Sequence, residues 1–143
     1  MKKHGYVSLL VCVLFIGLAA TSAQAQSTMK VDVPFDFSIG NISLQSGQYT
    51  VTQASPDANP EALLFRSAEG NAQAVTLGIR METIKAVEQP KLVFCKYGSH
   101  YFLSQVWLRS GDSGSEIRKG SLEHELARRG TAPEVAAIVT GSN

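Results

Sequence analysis

The sequence predicts an all-β fold, an antiparallel sandwich or small open barrel of about seven strands, followed by a short C-terminal helix. Three observations carry this prediction. Apolar and polar residues alternate strictly from Met29 to Ile39, the period of a strand with one buried face. Further short apolar runs recur between clusters of Gly, Asn, Ser and Pro, the punctuation of hairpins. Only near Ser121 to Arg129 does the pattern change to that of a helix. Strand order along the chain does not choose between sandwich and barrel.

Taken in order, Met29, Val31, Val33, Phe35, Phe37 and Ile39 form the first apolar face, and Pro34 within it argues for an edge or a bulge because it removes a ladder donor. Gly40-Asn41 is a turn, Ile42 to Leu44 a short return strand, and Ser46-Gly47 a second turn. Gln48 to Gln53 is a strand with Tyr49 and Val51 on one side. Ser55 to Pro60 reads as a loop, since its two prolines suit neither a helix nor a central strand. Leu63 to Ser67 and Gln73 to Ile79 follow as a hairpin around Glu69-Gly70-Asn71, with Val75, Leu77 and Ile79 facing one way and Thr76 and Gly78 the other. Arg80 to Pro90 has no clear period in either register and is expected to be a loop with room for a short turn of helix.

Leu92 to Tyr97 and Tyr101 to Leu108 form the most apolar hairpin, joined by Gly98-Ser99-His100. Its second strand reads as apolar on both faces, Tyr101, Leu103 and Trp107 on one and Phe102, Val106 and Leu108 on the other. Such a pair needs cover on both sides. Arg109 to Gly120, rich in Gly, Ser and charge, is expected to be a flexible connection. Ser121 is placed to cap a helix to Arg129, with Glu123 and Glu125 near its start and Arg128 and Arg129 at its end, as the helix dipole favours. Leu122 and Leu126 share a face that is expected to dock on the hairpin, because so short a helix is not stable alone. Residues 134–140 are left open between helix and strand.

The first 25 residues stand outside this pattern. Lys2 and Lys3 precede an apolar run from Tyr6 to Ala20, and Ala23-Gln24-Ala25 supplies the small residues that a signal peptidase accepts. The run is shorter than the roughly 18 to 20 residues that cross a bilayer, and Cys12 lies too early within it for lipid attachment. The expectation is a signal peptide over residues 1–25, cleaved after Ala25, and a single β-rich domain over 26–143 with a helical tail from about 121. The product is exported to the periplasm or outside the cell and carries no membrane span. With no twin arginine, the general secretion route is expected.

Cleavage takes Lys2 and Lys3 away, so thirteen basic residues become eleven against twelve acidic ones, a net charge of −1. That balance has no electrostatic footprint for nucleic acid. The 118 residues left of 143 are enough for a core without covalent staples. Cys95 alone survives of the two cysteines, so no intramolecular disulfide is expected.

Val33-Pro34-Phe35-Asp36-Phe37, then Gly40-Asn41, Leu44, Gly47 and Tyr49 resemble the opening of a group of short, uncharacterised exported proteins of soil bacteria. The likeness extends through Leu92-Val93-Phe94, Tyr97-Gly98, Tyr101 to Trp107, and Ser121-Leu122-Glu123 with Glu125-Leu126-Ala127. That group has no established activity. The resemblance therefore implies export and one β domain, and carries over no catalytic residue.

The candidate sites are few. Gly111-Asp112-Ser113-Gly114 looks like the nucleophile motif of trypsin-like serine proteases, but that chemistry needs a histidine base and an orienting acid. Only His100 and His124 remain in the mature chain, and Ser115 stands where the motif has its next glycine. A solvated turn is the expected reading. Cys95 with His100 suggests a dyad, yet Cys95 alternates with Val93 and Tyr97 and reads as a buried small side chain. Two histidines and one cysteine have no zinc-ligand spacing, and neither metal nor cofactor is expected. Asp32 and Asp36 share the wet face of the first strand. Arg118, Lys119, Arg128 and Arg129 alternate with acids as on a solvated helix surface. Tyr97, Tyr101, Phe102 and Trp107 form a packing face or, with cover from outside, a binding face. A non-enzymatic, monomeric domain that acts by binding or structure in the envelope or outside the cell is the leading expectation. A small barrel carrying an apolar ligand is the alternative, and a hydrolase working through Ser113 or Cys95 comes third.

Overall fold

Alternation does place a strand at the start of the fold, but Pro34 and Asp36 divide it. The computed structural model describes residues 27–140, so the expected signal peptide, with Cys12, Ala23 and Ala25, lies outside the described residues. Within them the first apolar run becomes β1 (Thr28–Val33) and β2 (Phe37–Ile39), which go to different partners. Pro34 has no N–H for a ladder. The Asp36 carboxylate accepts the backbone N–H of Ser46 at 2.8 Å, so residues 34–36 form a corner that braces the next turn.

Eight further strands and one helix follow: β3 (Ile42–Leu44), β4 (Gly47–Ser55), β5 (Asn59–Ser67), β6 (Gln73–Val87), β7 (Lys91–Tyr97), β8 (His100–Trp107), β9 (Gly111–Ile117), α1 (Ser121–Arg128) and β10 (Glu134–Val139). The fold is all-β with a short helix near the C-terminus, as the sequence predicts, with ten strands in one open sheet instead of about seven. The split of the first strand and the added strands β9 and β10 account for the difference, and two expected loops are also partly strand. Strand β5 begins at Asn59, inside the expected loop. Arg80 to Val87 is strand, and so is Gly111 to Ile117, which was expected to be a flexible connection. Low propensity is overridden there because β9 bridges two edges, pairing with β6 from Gly78↔Ile117 to Val87↔Gly111 and with β8 at Gln105↔Glu116 and Val106↔Ser115. The stretch left open near the C-terminus is strand, because β10 completes the outer edge of β7.

Antiparallel ladders run β1–β4–β5–β6–β9–β8–β7–β10, and the β2–β3 hairpin joins β8 through a parallel pairing of Phe37 with Tyr101 and Ser38 with Phe102. The end strands β1 and β10 approach each other, with no ladder between them among the described residues. Side chains fill the interior. Met29, Val51, Phe65, Leu92, Phe94 and Leu103 are each at most 2 % exposed and belong to one core cluster. Phe35 closes one end, stacked on Tyr101 at 3.7 Å between ring centroids and edge-on to Phe94 at 5.1 Å.

A bulge corrects the expected faces of β8. Val93 pairs with Gln105 and Phe94 with Leu103, so Ser104 is an extra residue. Leu103 and Val106 therefore both enter the core, while Phe102 and Trp107 share the opposite face with Val93 and Tyr97. Helix α1 lies against β7. It does so with a different face from the one expected: Leu122 is 45 % exposed, Leu126 half-buried, and Glu123 only 3 % exposed. Nor does Ser121 act as the cap. The N-cap residue is Gly120, and the side chain of Asn41 accepts both the Ser121 N–H at 2.8 Å and the Ser121 hydroxyl at 2.9 Å. Only glycine fits at 120, since a Cβ would stand 2.1 Å from the Gly40 carbonyl oxygen.

Candidate functional site

The residues with nucleophilic chemistry are held in local contacts. Ser113 is half-buried on β9 and its hydroxyl donates to the neighbouring Asp112 at 3.2 Å. Cys95 is half-buried rather than buried, and it pairs with Phe102 across the β7–β8 ladder. His100 pairs with Tyr97 at the turn of that hairpin, with its ring stacked on Phe102 at 6.4 Å. No hydrogen bond joins Cys95 to His100 among the described residues. Asp32 is exposed on β1, and Asp36 braces the Ser46 turn, so the two acids serve different places. No group of three potential metal ligands occurs among the described residues.

The aromatic set of the hairpin does not form one surface. Tyr97, Phe102 and Trp107 are each no more than 3 % exposed, with Tyr97 and Phe102 edge-on at 5.9 Å. Tyr101 is half-buried on the other face, between Phe35 and the Lys96 ammonium, which lies 5.7 Å from its ring centroid.

Exposed large apolar side chains occur on β10, at Val135 and Val139, and as a longer row on β6. Val75, Leu77 and Ile79 are 55, 60 and 50 % exposed, and Ile42 at the tip of the β2–β3 hairpin is 42 % exposed. The small residues between them, Ala74, Thr76 and Gly78, face inward. Space decides this orientation. A Cβ on Gly78 would stand 2.6 Å from the Ser115 Cβ and 3.6 Å from the Glu61 carbonyl oxygen, so β5 and β9 leave no room for a larger inward side chain. The sequence shows the alternation of these residues but not which set faces out.

Beside this stripe the sheet is incomplete. Residues 73–77 of β6 pair with β5 along one edge, whereas β9 takes up the other edge only from Gly78 onward. β3 pairs with β2 alone and ends the strand order. One groove of about 610 Å³ lies between β6 and the β2–β3 hairpin, and a second of the same volume lies between β3 and the turn that joins β5 to β6. One is lined by Ile42, by Val75 to Ile79 and by Arg118, Lys119 and Gly120. The other is lined by Ser43 and Leu44 opposite Asn71 and Ala72, with Asp32 and Glu69. Gly40 and Gly120 also line the first groove, packed against each other so closely that a Cβ on Gly120 would stand 2.1 Å from the Gly40 carbonyl oxygen.

Charge is uneven along this seam. Arg118 and Lys119 are exposed and form no ion pair among the described residues, whereas Arg129 bonds Glu125 and Lys96 bonds Glu134. Glu61 also lines their groove. At the opposite end, burial together with the fields of Asp36 and Glu69 raises the Tyr49 phenol above its ordinary pKa, and its hydroxyl donates to the Gln45 carbonyl at 2.7 Å. A smaller open cleft, about 120 Å³, is lined by Gln53, Arg80, Ser113 and Ser115.

No protein-family model, no curated protein and no solved structure matches the chain.

Proposed function

We propose that this chain is an exported, non-enzymatic domain that works by binding, in the cell envelope or outside the cell, through the outer face of β6. The observation that carries this reading is the aliphatic stripe of Val75, Leu77 and Ile79, continued by Ile42 and left uncovered beside an unfinished sheet edge. Contiguous apolar surface facing water costs solubility and marks a place where something else docks. Export rests on the N-terminal residues Lys2 to Ala25. A ligand carried inside the barrel gains no support, because Phe65, Phe94, Met29 and Leu103 occupy the interior.

Leu77→Lys and Ile79→Lys test the surface. Neither side chain packs in the core, so each variant should keep its stability within about 0.5 kcal/mol, the range for surface substitutions. Retention of the labelled mature protein on a washed envelope preparation should fall at least tenfold. Unchanged retention by both folded variants would overturn the reading.

A further inference from the structure

Resting on that reading, we propose that the partner is a polypeptide segment in extended conformation, added as a strand to the open edge of β6. It takes the line that β9 would follow had it continued past Ile117. Three independent features select this occupant. The backbone N–H and C=O groups of residues 73–77 on the side away from β5 have no ladder, and no turn or side-chain hydrogen bond uses them among the described residues. An unpaired edge of this kind is a template for another strand, and most folds cover it or blunt it with charge or proline. Here its outward positions are Val75 and Leu77, with neither charge nor proline. Across the groove from β6 stands the β2–β3 hairpin with Ile42, and β3 is also unpaired on its free edge.

Charge gives the segment a direction. β6 runs from the end near Glu69 and Asp32 toward the end near Arg118 and Lys119. A strand antiparallel to β6, like β9, begins beside Arg118 and Lys119 and ends beside Glu69. It therefore carries acid at its start and a basic group at its end, with β-branched residues at alternate positions to cover Val75 and Leu77.

The probe is a capped seven-residue peptide: aspartate, alternating valine and threonine, and a terminal lysine. It is compared with the same peptide with its two charges exchanged, and with a version N-methylated at alternate amides. Amide hydrogen exchange on residues 26–143 gives the readout. The first peptide should slow exchange in residues 73–77 at least tenfold, and N-methylation, which removes ladder donors without altering side chains, should abolish this. The charge-exchanged peptide should bind several-fold more weakly to the natural sequence and more tightly to the Arg118→Glu, Lys119→Glu variant. Protection confined to other segments, or equal binding of the methylated peptide, would overturn strand addition. Protection of residues 73–77 that rises with protein concentration alone would assign the edge to a second copy of this chain and overturn the partner proposed. If no peptide protects residues 73–77 while Leu77→Lys still loses envelope retention, strand addition fails and the binding-domain reading stands. If retention is also unchanged, both fail.

Discussion

The indole of Trp107 lies against Gly114 of β9, where a Cβ would stand 2.7 Å from the ring, and its Nε1–H donates to Gln105 at 3.1 Å. Gly114 belongs to the stretch that looks like a protease motif, yet its role in the fold is to leave space for a tryptophan. Gly114→Ala should therefore cost about 1 to 3 kcal/mol, the usual effect of inserting a methyl group into filled space. A lowered urea midpoint together with shifted tryptophan emission is the expected result. An unchanged midpoint would mean that β9 can move away from the ring. Burial of Trp107 was legible from its place in the most apolar hairpin. Its contact with Gly114 was not, because that depends on a polar segment pairing as a strand.

Helix α1 depends on residues far from it in the chain. Asn41, 80 positions before Ser121, takes the N–H that a local serine was expected to satisfy. Asn41→Ala should cost about 1 kcal/mol, as loss of a cap usually does, whereas Asn41→Asp keeps the acceptor and adds a charge that the helix N-terminus favours. Equal urea midpoints for the alanine variant and the natural chain would show that water replaces the cap. Glu123 adds a pH dependence. Burial raises its carboxyl pKa and the nearby Lys119 partly opposes this. With the folded pKa raised, its favourable contribution is complete below the ordinary carboxylate range and is lost as pH rises through the folded pKa. Glu123→Gln, which stays neutral, should lack this loss and so gain on the natural chain as pH increases. Parallel stability profiles of the two proteins between acid and neutral pH would show that the carboxylate is hydrated when charged. The sequence located this helix to within a residue at its end, but its docked face was misread because hydrophobicity favours Leu122 over Glu123. The direction from which β7 meets the helix reverses that preference.

Across the whole molecule, the strands form one sheet whose ends approach each other while a seam stays open between β6 and the β2–β3 hairpin. The first strand starts at Thr28, three residues beyond the expected cut, so removal of residues 1–25 leaves every described element intact. On the proposed export, the mature chain should begin at Gln26, and intact-mass measurement after expression in a bacterium tests this. A chain retaining Met1 in the membrane fraction would contradict it.

The sequence by itself determined the all-β class, most of the strand positions and the helix near the C-terminus, because each depends on local periodicity and turn chemistry. It did not contain the division of the first strand, the pairing of Gly111 to Ile117, the bulge at Ser104 or the outward face of β6. These are settled by which edges and how much interior space the rest of the sheet leaves free. Alternation specifies two faces of a strand, and only the packed interior, where β5 and β9 crowd Gly78, decides which of them meets water.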